Sequence, residues 1–242
     1  MPDAAQEAAI SDNLQRIHQE EERIRAKALA FISKDSTLSD HLVLVHDAME
    51  VLSATCRAPI DANKDELSVQ LLGLRMFNGL AVGLKLGLSG YYQNALASLR
   101  DVLEMTNLLD LFIEWPEQIA EWRQCDSKVR SKKFGPAAVR KALDPRDGWA
   151  NSRREPTYKL YCEYAAHASH QGFRLVAPDG LARVGPFLDK ALLTAWLWDM
   201  AKHGGHGALV LSMHFADKKP LLNANVLYLA QLRAWHTKYL AA

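Results

Sequence analysis

The stretch 71–114, LLGLRMFNGLAVGLKLGLSGYYQNALASLRDVLEMTNLLDLFIE, decides the fold. Its apolar residues recur mostly every three or four positions, which is the period of an amphipathic α-helix. Ser89-Gly90 interrupts the pattern, and Trp115-Pro116 ends it because the residue before a proline disfavours helical backbone. The stretch therefore predicts two long helices that pack as an antiparallel hairpin in the centre of the core.

Helical periodicity continues on both sides of this hairpin. Residues 4–34 predict a long, polar amphipathic helix whose narrow apolar stripe suits an arm or a dimer contact. The glycine-rich run 203–207, HGGHG, predicts a break or kink because glycine lowers helix propensity. The first helix of the hairpin is predicted to begin after a cap at Asp61 or Asn63 and to end at about Leu88, and the second to cover residues 91–114. Other helices are predicted over residues 41–56, 116–124, 158–169, 186–202 and 223–240, and helical pattern resumes after the run 203–207 as far as Phe215.

A single β-hairpin is predicted near residues 173–184. Two short runs, 173–177 and 181–184, flank Pro178-Asp179-Gly180, which is typical of a turn. The sequence contains no internal repeat and no flexible linker. The predicted fold class is therefore all-α: one domain over residues 1–242, an up-and-down helical bundle with this one small β-hairpin.

The composition is that of a globular protein. Of the 242 residues, 49% are hydrophobic and 24% are charged, which is too apolar for disorder and too charged for a membrane protein. The net charge of +1 gives no global attraction to nucleic acid or anionic lipid. The most apolar stretch, 69–88, contains Arg75 and Lys85, so we interpret it as a buried core helix and expect no membrane association.

Several classes of protein lack support in the sequence. The amino terminus has neither the basic nor the apolar region of a secretory signal, and Cys56, Cys125 and Cys162 are too scattered for a disulfide framework. We therefore expect a cytoplasmic protein. The P-loop, strand-linked GxGxxG, GxSxG and HExxH motifs are absent from the sequence, so no cofactor is predicted.

Arg100 and Glu104 lie one turn apart on the predicted helix 91–114. At about 100° per residue they share a stripe with Gln93, Asn107 and Leu111. This placement predicts that the pair faces protein rather than water. It could form a preorganised clamp for an anion or a substrate, or an ordinary structural ion pair.

A second candidate site contains Glu163, His167 and His170, which share one face if the helix 158–169 is regular. A carboxylate one turn before a histidine can fix its tautomer and raise its pKa, as a general base requires. The alternative is a histidine satisfied at a helix end.

A third candidate is a zinc site. His203 and His206 form one HxxH pair, and His167 and His170 form another. Four histidines could hold a metal ion, but no nearby cysteine or carboxylate completes a known zinc pattern. Histidines in a glycine-rich kink are the favoured interpretation, and no metal is predicted.

A basic stretch over residues 127–154 carries aromatic side chains between its charges. Mixed cations and aromatic rings suit phosphate contacts and base stacking, although such runs are often solvated loops. The candidate nucleic-acid contacts are Lys132, Lys133, Arg140, Arg153 and Arg154.

The run 90–104, GYYQNALASLRDVLE, resembles a stretch of certain bacterial all-α proteins: a glycine and aromatic residues, small residues, then Leu-Arg-x-x-x-Glu. The segment from Tyr161 to His167 is similar to their second motif. These proteins are grouped loosely with the HEPN-like helical domains, and the resemblance covers about residues 70–200. It implies that Arg100, Glu104 and His167 converge between helices. The Arg-x(4–6)-His motif of HEPN-like ribonucleases is absent from this sequence.

The leading functional hypothesis is a helical module that binds RNA or a nucleotide in bacterial stress or phage defence. One alternative is an HEPN-like ribonuclease with a non-standard site made of Arg100, Glu104 and His167. Another is a structural homodimer that uses the helix 4–34 as its contact.

Overall fold

The computed structural model describes residues 12–58, 63–150 and 152–241. These residues form an all-α bundle, as predicted, and none of them forms a β-strand. The helices are α1 (Asp12–Ile32), α2 (Ser36–Arg57), α3 (Lys64–Leu88), α4 (Tyr92–Glu114), α5 (Gln118–Gln124), α6 (Ser127–Phe134), α7 (Pro136–Arg146), α8 (Glu155–Tyr161), α9 (Lys190–Met213) and α10 (Leu222–Tyr239). A π-helical turn (Cys162–Ala166) follows α8, and 3-10 turns occupy Gln171–Leu175 and Lys219–Leu221.

The α3–α4 hairpin forms the centre of the core, as the sequence predicts. The connection 89–91 is short enough to send α4 back along α3, and Gly90 adopts a left-handed conformation there with φ of 88°. A Cβ at Gly90 would lie 2.2 Å from the Phe187 carbonyl oxygen, so only glycine fits. Helices α2 and α9 pack against this hairpin, and Met76, Leu80 and Leu99 are fully buried among them.

Local signals set where the helices begin. Asn63 starts α3 with a capping box: its side chain accepts from the backbone N–H of Glu66, whose carboxylate accepts from the Asn63 N–H at 2.9 Å. Asp189 starts α9 by accepting from the Leu192 N–H at 2.9 Å, four residues after the predicted start. The hydroxyl of Tyr92 bonds the Asp189 backbone and so fixes this end of α9 to α4.

The predicted break at residues 203–207 is wrong, because α9 continues through it to Met213. Its glycines lie against neighbouring helices rather than in a kink. A Cβ at Gly204 would lie 3.0 Å from Leu80 Cδ2, and one at Gly207 would lie 2.8 Å from Thr106 Oγ1. Close packing on α3 and α4 therefore offsets the helix propensity that glycine loses, about 1 kcal/mol per residue.

The predicted β-hairpin near residues 173–184 is also wrong. The segment forms a 3-10 turn and then irregular backbone, joined by one cross-connection from the Arg183 N–H to the Val176 carbonyl at 3.0 Å. An isolated two-stranded hairpin is marginal in water unless one face is covered. Here Leu181 and Val184 are exposed, so no buried face supports pairing.

The amino-terminal helix packs on the bundle only along its second half. Ile24, Ala28 and Ile32 are buried, whereas Leu14 and Ile17 are exposed. The part of the predicted helix before residue 12 lies outside the described residues. The expected role of this helix as a dimer contact stays a prediction.

Helix α3 is long and apolar enough to cross a membrane by length and composition, with a mean hydropathy of 1.3 in its most apolar window. In the structure it packs against α4, α2 and α9, as the interpretation of residues 69–88 as a core helix requires.

Candidate functional site

Four side chains form a polar network between α4 and α8, which we call the α4–α8 network: Arg100, Glu104, Tyr158 and Cys162. The Arg100 guanidinium lies 2.6 Å from a Glu104 oxygen and donates to the Tyr158 hydroxyl at 2.8 Å. That hydroxyl donates to Glu104 at 2.6 Å, and Arg100 Nε donates to Cys162 Sγ at 3.2 Å. Each member is therefore bound by another, and the network fastens α8 and the π turn to α4.

The pKa values of Arg100 and Tyr158 in the α4–α8 network lie far from neutral pH. Burial alone would lower the pKa of Arg100, but its hydrogen bonds with Cys162 and Tyr158 and the charge of Glu104 raise it overall. Burial and the hydrogen bond to Glu104 raise the pKa of Tyr158 to about 12. Arg100 therefore stays charged and Tyr158 stays protonated at pH 7, which suits a structural network better than proton transfer.

The structure does not place His167 among the hydrogen bonds of Arg100 and Glu104 within the described residues. The regular helix α8 ends at Tyr161, and the π turn that follows ends at Ala166. The face expected to unite Glu163, His167 and His170 therefore does not form, because both histidines lie beyond the helix. All three residues are exposed, and the His170 ring packs against Phe173 with centroids 5.6 Å apart.

The predicted nucleic-acid contacts separate into exposed and structural residues. Lys132 and Arg153 are exposed, and Lys133 is paired with Glu121. Arg140 is buried, with its guanidinium carbon 3.9 Å from the centre of the Tyr158 ring. In the described part of the chain, its Nε and Nη1 atoms have no hydrogen-bond partner.

Arg154 is held inside a cluster of acids. It lies 2.9 Å from Asp144 and 3.5 Å from Asp110, and it also pairs with Asp147. Arg146 binds Asp110 from the other side at 2.8 Å. These ion pairs join α4, α7 and the segment before α8, so the Arg154 charge is already neutralised by protein.

A cleft of about 400 Å³ opens beside this region, and we call it the α9–α10 cleft. It is bounded by α4, the segment 149–157, α9 and α10. Its fourteen described lining residues include cations, histidines and apolar side chains, and no carboxylate. They are Leu103, Asn107, Trp149, Arg153, Arg154, Thr157, Lys202, His203, His206, Leu209, Leu232, Trp235, His236 and Leu240.

Burial divides the cleft into a floor and a rim. Asn107 and His203 are the most buried polar side chains of the cleft, with 7% and 9% of their surface exposed, and we call these two residues the floor. Arg153, Lys202 and His206 are exposed at the rim. Leucines and the half-buried Trp149 form the walls between them.

Burial keeps His203, a cleft histidine of α9, neutral at physiological pH. Burial, followed by the charges of Lys202 and His206, lowers the pKa of His203 to about 3. Its ring packs edge-on against Tyr161, with centroids 5.7 Å apart. His206 is accessible from the cleft, but the surrounding protein lowers its pKa in spite of the nearby Asp110 carboxylate.

A second cleft of about 400 Å³ lies between α3, α4, α6 and α7. It carries cations and acids together, and Arg75 there binds Asp101 at 2.6 Å. Because its charges cancel, this cleft has no comparable preference for an anion.

The four histidines considered for zinc do not come together. His203 lies in the floor of the α9–α10 cleft, whereas His167 and His170 are exposed beyond α8. Among the described residues, no group of three or more histidine, cysteine, aspartate or glutamate side chains could hold a metal ion.

Sequence reasoning missed Asn107 and Lys202 in the cleft, and Tyr158 and Cys162 in the α4–α8 network. A signal existed for Asn107, which shares the Arg100 stripe of α4. Lys202, Tyr158 and Cys162 meet the other residues of their sites from distant parts of the chain, so their spacing in the sequence carries no signal.

Comparisons with known proteins give no relative: no family model, no curated protein and no solved structure matches the chain.

Proposed function

We propose that the protein binds a nucleotide in the α9–α10 cleft, with the phosphate at the rim and the base between the apolar walls. The single observation that supports this most is the cleft lining, which carries cations at the rim and, among the described residues, no carboxylate. A ligand that fits must therefore be anionic at one end and apolar or aromatic at the other.

Two cations at the rim can contact a phosphate, and one of them, Arg153, also lies over the Trp149 ring with its guanidinium carbon 5.1 Å from the ring centroid. No ion pair within the described ranges includes Arg153 or Lys202, and both are exposed. An arginine forms a planar fork of donors that suits phosphate oxygens, and a lysine adds a mobile charge. His206 and His236 add donors or acceptors at the same rim.

The walls suit a planar group. Leu103, Leu209 and Leu232 supply apolar surface, and Trp149 and Trp235 supply rings. Small-molecule sites usually have volumes of roughly 300–1,000 Å³, with mostly apolar walls and a few polar groups that fix the orientation. At about 400 Å³ the cleft is large enough for a mononucleotide.

Titration calorimetry with adenosine monophosphate (AMP) tests this proposal. Arg153→Glu and Lys202→Glu reverse a rim charge, and each should weaken AMP binding about tenfold or more because the phosphate loses an attractive contact and meets a repulsive one. The matched control is Lys132→Glu, an exposed lysine on α6 outside the cleft, which should bind AMP as the wild type does.

Absence of AMP binding to the wild type at millimolar concentration would contradict the proposal. Equal loss in Lys132→Glu would also contradict it, because the effect would then reflect overall charge rather than the cleft.

RNA binding along the exposed side of α6 is the competing proposal, supported by the exposure of Lys132. Binding of a short single-stranded RNA that is lost in Lys132→Glu and retained in Lys202→Glu would favour it. The ribonuclease hypothesis stays a prediction, and RNA cleavage lost in a folded His167→Ala variant would support it.

A further inference from the structure

Resting on the proposed function, we propose that the floor of the α9–α10 cleft selects adenine, with the Asn107 amide as the group that reads the edge of the base. His203 beside it supplies a second neutral polar contact.

Asn107 has no hydrogen-bond partner of its own among the described residues. Its side chain is buried on α4, yet no hydrogen bond within the described residues engages its amide. Its oxygen and nitrogen are also not among the fully enclosed atoms that lack a partner, so they keep some exposure, and Asn107 lines both the α9–α10 cleft and the second cleft between α3, α4, α6 and α7. A buried amide is costly when nothing satisfies it, and a ligand that presents both a donor and an acceptor would do so.

The polar groups of the floor match adenine better than the other bases. An asparagine amide matches the adjacent donor and acceptor on an adenine edge, whereas guanine is usually read by arginine or lysine and cytosine by aspartate or glutamate. Arg153 and Lys202 are at the rim, and Arg154 is neutralised by Asp110, Asp144 and Asp147. The described floor therefore offers an amide and an imidazole, the pair that suits adenine.

His203 keeps one protonation state near neutral pH. Burial holds the pKa of its ring at about 3, so at pH 7 it carries one N–H donor and one acceptor nitrogen. It can bond a neutral base without adding charge to the floor. Leu103 and Leu209 line the same cleft and supply apolar surface for a planar ring.

The test compares the affinities of AMP, GMP, CMP and ribose 5-phosphate for the wild type and for three variants. AMP should bind wild type about 5 to 150 times more tightly than GMP or CMP, the discrimination expected of one bidentate pair. Ribose 5-phosphate, which keeps the phosphate and lacks the base, should bind at least tenfold more weakly than AMP because it loses the floor and wall contacts.

Asn107→Leu should bring AMP affinity down to that of GMP and leave ribose 5-phosphate affinity unchanged. Asn107→Asp keeps the shape but lacks the amide donor, so it should also lose the AMP preference if Leu disturbs folding. The matched control is Gln93→Leu, which removes an amide from the same helix. Gln93 donates to the Tyr164 carbonyl at 3.2 Å and is not in the cleft, so its variant should keep the wild-type order.

The outcomes separate the two proposals. If AMP binds through the rim but both folded Asn107 variants keep the wild-type preference, the adenine inference is wrong and nucleotide binding stands. If GMP or CMP binds wild type more tightly than AMP, the inference is likewise overturned. If no nucleotide binds, the proposed function itself fails.

Discussion

The α4–α8 network and the α9–α10 cleft both use side chains of α4, but they treat polar groups in opposite ways. In the network, Arg100 and Glu104 are bound to each other and to Tyr158. Three residues further along the helix, Asn107 is buried without a hydrogen bond in the described part of the chain. Polar groups that the protein satisfies itself stabilise the fold, and those it leaves open are available to a ligand.

The structure also changes which side chains of α4 are candidates for ligand binding. From the sequence, Arg100 and Glu104 are candidates for a substrate clamp because they lie one turn apart on one helix. In the structure, both side chains are instead bound by each other and by Tyr158. We therefore expect substitutions in the network to affect stability, and substitutions in the cleft to affect binding.

Arg100→Met should give the largest loss of stability. It leaves Glu104 without its cation in a partly enclosed site, where the side chains of the pair are 27% and 23% exposed. Losing one partner of a fully buried pair costs about 3–5 kcal/mol, and an exposed pair contributes about 0–1 kcal/mol. We therefore expect the free energy of unfolding to fall by about 2 kcal/mol. Urea unfolding measures it.

Arg75→Met is the matched control for this substitution. Arg75 on α3 pairs with Asp101, which lies on α4 as Glu104 does, and the Arg75 side chain is 64% exposed. It should cost less than about 1 kcal/mol. Equal losses in the two variants would show that enclosure of the α4–α8 network adds nothing.

His203→Gln should reduce the loss of stability in acid. Folded His203 has a pKa of about 3 and the unfolded residue one of about 6.5, so between these values the unfolded chain binds the proton and the folded chain does not. Stability therefore falls as the pH falls through this window, by up to about 1.4 kcal/mol per pH unit for this residue. Unfolding free energies measured from pH 7 to pH 4 should show a shallower slope in the variant.

His167→Gln, at an exposed histidine, is the control and should keep the wild-type slope. An unchanged slope in His203→Gln would mean that water or a proton reaches the cleft floor more easily than its burial indicates.

Arg140→Met should have the smallest effect, although Arg140 is more deeply buried than Arg100. Its Nε and Nη1 have no partner in the described residues, so the substitution removes a poorly compensated charge together with its contact to the Tyr158 ring. These terms oppose each other, and we expect a change within about 1 kcal/mol. A loss as large as that of Arg100→Met would show that an unseen partner satisfies Arg140.

Much of the fold could be predicted because it depends on local periodicity. The helical hairpin formed by α3 and α4 follows from apolar spacing and from the stops at Ser89-Gly90 and Pro116. The predicted break at residues 203–207 is wrong because glycine occurs both in helix kinks and where two helices pack closely, and the sequence alone does not distinguish the two. What distinguishes them here is Leu80 and Thr106, which are more than ninety residues away along the chain.

The candidate site could be predicted only in pieces. His203 and His206 attracted attention as possible metal ligands, and Arg153 as a phosphate contact, but the sequence did not relate them to each other. These residues come together only when α9 and α10 pack beside residues 149–150 and 152–157. The open amide of Asn107 depends on that packing too, because its depth is set by helices distant in sequence.

Nuclear magnetic resonance of the histidine side chains tests the central claim most directly. The ring nitrogens would be assigned with single His→Gln variants, and spectra recorded at pH 7 with and without saturating AMP. We predict that the signals of His203 and His206, which line the cleft, shift on binding, whereas those of His167 and His170 do not. Shifts confined to His167 and His170 would contradict the account and would return the ligand site to the end of α8.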